Sequence, residues 1–259
     1  MKAASLVFFS RLHQFQALLL GLAIADGVQQ GQITDATLPP RSPASITSQD
    51  PLTAPDWCQD FLTTSRWLSQ MDAPPPPPRP RRDGFYALSW VPLVLCCLDQ
   101  PAGLDYCLAT GAPLVSPEDP ANVAALYTLL QTVLTSPGRA ADFNVQSSAA
   151  DNLQTLWRAA IALTHQTEGD FRQTLGVALW RYGYASPVPL WAALFSAAQR
   201  GLGTLPIPWR QALVGLLPRT SDSQANDWLQ HRWASSNRQD LMAIATALES
   251  RWAGRLPTT

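Results

Sequence analysis

A chain of 259 residues, 46% hydrophobic and only 14% charged, is long enough to bury a sizeable core but carries few charges to finish its surface. Its formal net charge of -1 offers no field to gather a polyanion, which argues against nucleic-acid binding. Lys2 is the only lysine, so the positive charge is almost wholly arginine, the residue suited to fixed, bidentate contacts. A weakly charged surface of this kind points toward a lasting protein partner. The four cysteines, Cys58, Cys96, Cys97 and Cys107, form no Cys-x-x-Cys pair, and two lie in an apolar run. Buried, inert thiols in a reducing, cytoplasmic setting are the expectation.

The apolar stretch Ala17–Ala25 follows Lys2 and Arg11 and has small residues at 23 and 25, the pattern of a secretory leader. Leu12, Phe15, Leu19 and Leu22, however, share one face at helical spacing, with Arg11, His13, Gln14 and Gln16 interrupting the run. The reading preferred is a core helix, and so short a run does not cross a bilayer. Residues 31–56 contain many prolines without periodicity and are expected to form a long connection. A helix is expected from Asp56, as cap, to about Met71, with Trp57, Phe61 and Leu68 inward. Pro74–Pro78 then impose extended polyproline geometry, and Arg79, Arg81 and Arg82 follow. A stiff loop at 73–83 is the expected role, with a ligand for a proline-recognising domain as the alternative.

Phe85–Leu98 is expected to be a buried helix entered near Pro92. Further helices are expected over Leu104–Ala109, Pro120–Thr135 and Asp151–His165, with Ser136–Ser148 as a turn-rich connection. Asp170–Tyr182 ends at Gly183, and Val188–Leu202 is followed by Gly201 or Gly203 at its close. Pro208–Leu217, Asn226–His231 and Arg238–Trp252 complete the series. No sustained alternation of period two interrupts it, so the expectation is one all-α domain spanning residues 1–259.

The order of these signals resembles the ADP-ribosylglycohydrolase superfamily. Arg11–Gln30 is similar to that family's opening helix, with Ala25-Asp26-Gly27 in place of its Gly-Asp turn. Gly84–Leu98 is similar to its glycine-rich segment with a following Pro-Leu, and Gly169–Leu213 to its later helices, including Gly201 and Pro206-x-x-Trp209. The resemblance implies a compact all-α fold with a dinuclear magnesium cleft that cleaves ADP-ribose from arginine side chains or related linkages.

The acidic clusters that such a cleft needs are missing. No Thr-Asp-Asp-Thr string occurs; the nearest segment is Thr34-Asp35-Ala36-Thr37. The turn that carries Gly-Asp-x-Asp-Thr in the family reads Tyr182-Gly183-Tyr184-Ala185-Ser186-Pro187, with no carboxylate. Two magnesium ions need several oxygen ligands, mostly carboxylates, to offset their charge. The expectation is therefore a cleft without catalytic residues, metal or cofactor, its vestige marked by Asp26, Asp35, Tyr182, Tyr184 and Ser186. Asp26 has a plainer role open to it, tying down a helix or turn.

The remaining chemistry is sparse. His13, His165 and His231 are the only histidines, and no nucleophile elbow, phosphate-cradling loop or zinc spacing occurs. Among ten tryptophans, Trp228 and Trp233, with Arg232 between them, suit a protein interface. The expected function is that of an inactive enzyme-like scaffold acting as an interaction, assembly or regulatory subunit, with a partner that is protein rather than nucleic acid and no transmembrane segment. The alternative is a divergent hydrolase of an ADP-ribose-like substrate.

Overall fold

A computed structural model describes residues 10–40, 57–70, 84–109, 120–135, 152–213, 227–233 and 238–254. Every regular element among them is helical. The connection over 41–56, the proline tract with its arginines and the Ser136–Ser148 segment lie outside the described residues, as do Asp56 and Cys107's side chain.

Helix α1 (Arg11–Gln29) starts where the Ser10 hydroxyl accepts the His13 N–H, the usual service of a serine cap. From Gln14 to Gln29 every residue is buried. A helix enclosed on all sides is a central one, and the apolar content of this segment is what permits it. The second central helix is α8 (Val188–Arg200), buried continuously from Val188 to Ala198. The two pack against each other along much of their length. Gly21 marks their close approach: a Cβ there would lie 2.8 Å from the Ala197 Cβ and 3.2 Å from a Phe171 ring carbon. Neither neighbour has freedom to retreat, so only glycine keeps these backbones this near.

Around this pair, α6 (Asn152–Gln166) and α7 (Phe171–Tyr182) cover α8, while α11 (Arg238–Trp252) covers α1. Asp170 caps α7 through the Gln173 N–H at 2.8 Å, and Gly183 closes it at φ 77°. Gly201, at φ 68°, does the same for α8. Helices α2 (Trp57–Gln70), α3 (Val91–Cys97), α4 (Pro101–Ala109) and α5 (Pro120–Thr135) extend the assembly beyond α11 and α8. Two short helices, α9 (Ile207–Ala212) and α10 (Asp227–Trp233), lie between α8 and α11 in the chain.

The helix expected to be entered near Pro92 begins there, behind a short turn of tighter helix. Tyr86–Trp90 forms a 3-10 turn before α3 begins, with Pro92 in the first turn of α3. Proline has no N–H to give the residue four back, so an α ladder cannot run unbroken through this point. The Val91 N–H goes to the Leu88 carbonyl instead, and the Ser89 hydroxyl donates to the Tyr86 carbonyl at 2.7 Å.

Tryptophans join the layers. Trp191 of α8 meets Trp157 of α6 edge to face at 5.5 Å and donates its N–H to the Gly84 carbonyl at 2.8 Å. Phe171 of α7 meets Trp209 of α9 at 6.2 Å. Trp252 closes α11 against Phe15 of α1 and donates to the Leu98 carbonyl at 2.7 Å. Among the described residues, no helix is long and apolar enough to cross a membrane.

Candidate functional site

Asp26 lies within α1, one turn before its end, and its side chain is wholly buried. The helix continues to Gln29 rather than breaking into a turn at Ala25-Asp26-Gly27. Arg232 of α10 reaches the carboxylate with both arms: Nε donates to Oδ2 at 2.6 Å and Nη2 to Oδ1 at 2.8 Å. Trp233 donates its indole N–H to Oδ2 at 2.9 Å, and the Cys58 thiol of α2 approaches the same oxygen at 3.6 Å. A carboxylate this deep is tolerable only when paired and hydrogen-bonded, and this one is both. Burial pushes the Cys58 thiol well above its usual range, and the neighbouring Asp26 adds to the shift. Cys58 is therefore a protonated donor here, not a nucleophile.

Sequence reasoning placed Asp26 in a vestigial cleft and Arg232 with Trp233 at a surface. The structure brings all three together. Trp233 is fully buried, edge to face with Trp57 at 5.4 Å and with Phe61 at 6.0 Å, and it presents nothing for a partner to bind. Arg232 retains 12% side-chain exposure. The side chain of Trp228 lies outside the described residues.

Asp35 forms a second knot beyond the end of α1. Its Oδ1 accepts from the Thr37 backbone at 2.9 Å and the Thr37 hydroxyl at 2.7 Å. Arg172 of α7 donates one Nη to both oxygens at 2.7 Å, and Trp209 of α9 donates to Oδ2 at 3.1 Å. Partial burial tends to raise the pKa of this carboxyl, but the Thr37 N–H, Arg172 and the Thr37 hydroxyl outweigh it and bring it down to about 2. Asp35 also lines a cavity of about 350 Å³ with Val28, Ile33, Leu38, Pro40 and Tyr184. The Tyr184 hydroxyl donates to the Pro39 carbonyl at 2.6 Å.

Two of the expected cleft residues, Asp35 and Tyr184, thus share one cavity, and Ser186 adjoins through α1. Gln29 donates to the Ser186 carbonyl at 2.8 Å, and the Ser186 hydroxyl accepts the Val188 N–H at 3.2 Å. Tyr182 stands partly exposed at the end of α7, with Trp180 more exposed still. A larger polar depression of about 660 Å³ lies at the α6–α7 turn, lined by Glu168, Asp170, Gln173, Arg200 and Thr204 among others. Two of the leading N–H groups of α7 are already taken there, Phe171 by the Thr204 hydroxyl and Gln173 by Asp170, which leaves this helix start poorly supplied with donors for an anion.

Arg172, Trp209 and Cys58 were not foreseen as partners of the two aspartates. Trp209 stands out in the sequence within Pro206-x-x-Trp209, but an arginine in the first turn of a helix and a cysteine beside a tryptophan look like a solvated residue and a core filler. Among the described residues, no group of three or more His, Cys, Asp or Glu is arranged to hold a metal ion. Comparison with protein-family models, with curated proteins and with solved structures gives no match to this chain.

The Asp35 knot has a pH signature. A carboxyl whose folded pKa is depressed stabilises the fold fully above its unfolded value of about 3.9 and loses that contribution as pH falls through its folded value. The loop at 31–38 should hold near pH 4 and loosen as pH approaches 2. Asp35→Asn should loosen it at neutral pH and flatten this dependence, read as exchange of the Thr37 amide hydrogen. Equal protection of that amide in both proteins at pH 7 would show that the loop is held by other contacts.

Proposed function

We propose that this chain is a catalytically silent, ADP-ribosylglycohydrolase-like protein that serves as an interaction, assembly or regulatory subunit. The observation that carries this reading is the engagement of Asp26 and Asp35, the two carboxylates that the sequence resemblance places near a metal cleft. Each is held by an arginine and a tryptophan N–H. A carboxylate whose charge is already balanced has little left to offer a divalent cation, and a depressed pKa makes Asp35 a weak base at neutral pH. Tyr184, which lines the cavity beside Asp35, fastens its turn to Pro39. The low charge of the surface and the exposed Trp180 and Ile207 favour a protein partner.

The test pairs calorimetric titration of magnesium into the metal-free protein with an assay for ADP-ribose release from ADP-ribosyl-arginine. The expected result is no stoichiometric heat, no shift in melting temperature with magnesium or EDTA, and no turnover. Stoichiometric binding with metal-dependent turnover would instead establish the divergent-hydrolase alternative. Copurification from native lysate at near-native concentration should recover a defined complex; consistent recovery of an isolated monomer would remove the subunit role.

A further inference from the structure

Helix α10 is too short to be stable alone. Seven residues make fewer than two turns, and nucleation outweighs the few hydrogen bonds such a segment closes. Its helical state must come from docking, and among its described side chains the polar docking contacts lie at its C-terminal end. Arg232 and Trp233 together place three donors on the Asp26 carboxylate, while the Trp233 ring lies against Trp57 and Phe61. Leu229 adds one buried apolar side chain. The surface on which it docks is of the opposite kind. Asp26 belongs to α1, buried from Gln14 to Gln29 between α8 and α11, and that helix cannot shift without disturbing the whole core.

This asymmetry sets the character of the contact. Opening admits water to both partners, so separating Arg232 from Asp26 in this way forfeits far less than removing one of them from the closed site would. The docked state also carries a local cost: the buried Trp57 N–H, beside Trp233, has no hydrogen-bond partner among the described residues. Opening would let water reach it, relieving the cost of an unmade hydrogen bond.

We infer that α10 is a strap that opens as a unit while the remaining helices stay folded, uncovering a pocket with the Asp26 carboxylate at its floor and Cys58, Trp57 and Phe61 around it. The motion needs no bound partner and does not depend on what the protein does. Cys58 reports it directly, because a buried, protonated thiol reacts with an external reagent only when uncovered. Cys97, buried at the end of α3, reports opening of the domain itself.

The experiment is native-state labelling of the full chain with N-ethylmaleimide, each cysteine followed by peptide mass spectrometry, over a series of low urea concentrations. In the wild-type protein, Cys58 labelling should depend only weakly on urea, because little surface is exposed, whereas Cys97 should show the steep dependence of global unfolding. Arg232→Gln should accelerate Cys58 by roughly tenfold or more, the consequence of losing charge-assisted bonds, with Cys97 unchanged. Trp233→Phe, which keeps an aromatic ring but loses the pyrrole part and its N–H donor, should act in the same direction and serves if the arginine variant does not fold. Hydrogen exchange should show amides 231–233 of α10 opening ahead of amides 61–68 of α2. Identical urea dependence at Cys58 and Cys97, or exchange of amides 61–68 while 231–233 stay protected, would overturn the strap.

Discussion

Truncating Trp191 to alanine should leave little folded protein. The indole is wholly buried, touches Trp157 and Phe195, and donates to the Gly84 carbonyl at 2.8 Å. Removing a large buried aromatic costs about 3–5 kcal/mol through lost transfer energy and the cavity left behind. Stranding the Gly84 carbonyl adds about 1–3 kcal/mol. The site cannot collapse to recover this, because Gly84 already sits where a Cβ would come within 2.3 Å of Leu156 and 2.9 Å of Pro187. Against a total stability of about 5–15 kcal/mol for an ordinary domain, the sum is most of what there is. Trp191→Phe keeps most of the ring contacts and loses the donor, so it should remain folded with a loss of about 1–3 kcal/mol. Trp180, 77% exposed on α7, is the control: its alanine variant should stay within about 0.5 kcal/mol of wild type. Urea midpoints for the three variants decide the matter, and a Trp191→Ala protein as stable as Trp180→Ala would remove Trp191 from its central place.

Helix positions were legible where periodicity and punctuation agreed. Pro120–Thr135 and Arg238–Trp252 have the bounds that the sequence suggests, and Asp170, Gly183 and Gly201 act as the caps their residue types favour. These are local matters, decided within a turn or two. Pro92 marks the entry of α3 in the sequence, but the 3-10 turn over Tyr86–Trp90 before it was less visible, because an apolar run looks alike in either geometry. The aspartate knots were not legible at all. Asp26 meets Arg232 across 206 positions and Asp35 meets Arg172 across 137. No spacing rule spans such a gap, and a single sequence has no covariation to reveal it. Residue type also misled in a specific way: tryptophans beside an arginine look like an interface, yet the same large ring and single donor suit a buried carboxylate equally well. Trp233 does the second.

The Asp26 cluster should give a substitution whose sign depends on its background. In the wild-type protein, Asp26→Asn removes the charge that Arg232 and Trp233 share, and hydrogen bonds to a charged group contribute about 1.5–3 kcal/mol. Arg232, with 12% exposure, can still turn its guanidinium toward water, so this variant should be destabilised by no more than that. Arg232→Met is worse. It leaves a carboxylate of 0% exposure with only an indole N–H and a thiol, and breaking a buried pair from this side costs about 3–5 kcal/mol. If α10 opens to let water in, that loss is capped at the free energy of opening and appears as faster labelling of Cys58. Introducing Asp26→Asn into the Arg232→Met protein then removes the unpaired charge, while the amide oxygen goes on accepting from Trp233. The same change that weakens the wild type should therefore strengthen the variant. A double-mutant cycle on urea midpoints and Cys58 protection measures the reversal directly. Additive losses would mean that Asp26 and Arg232 do not act as a pair, and that the burial of this carboxylate is balanced by other groups.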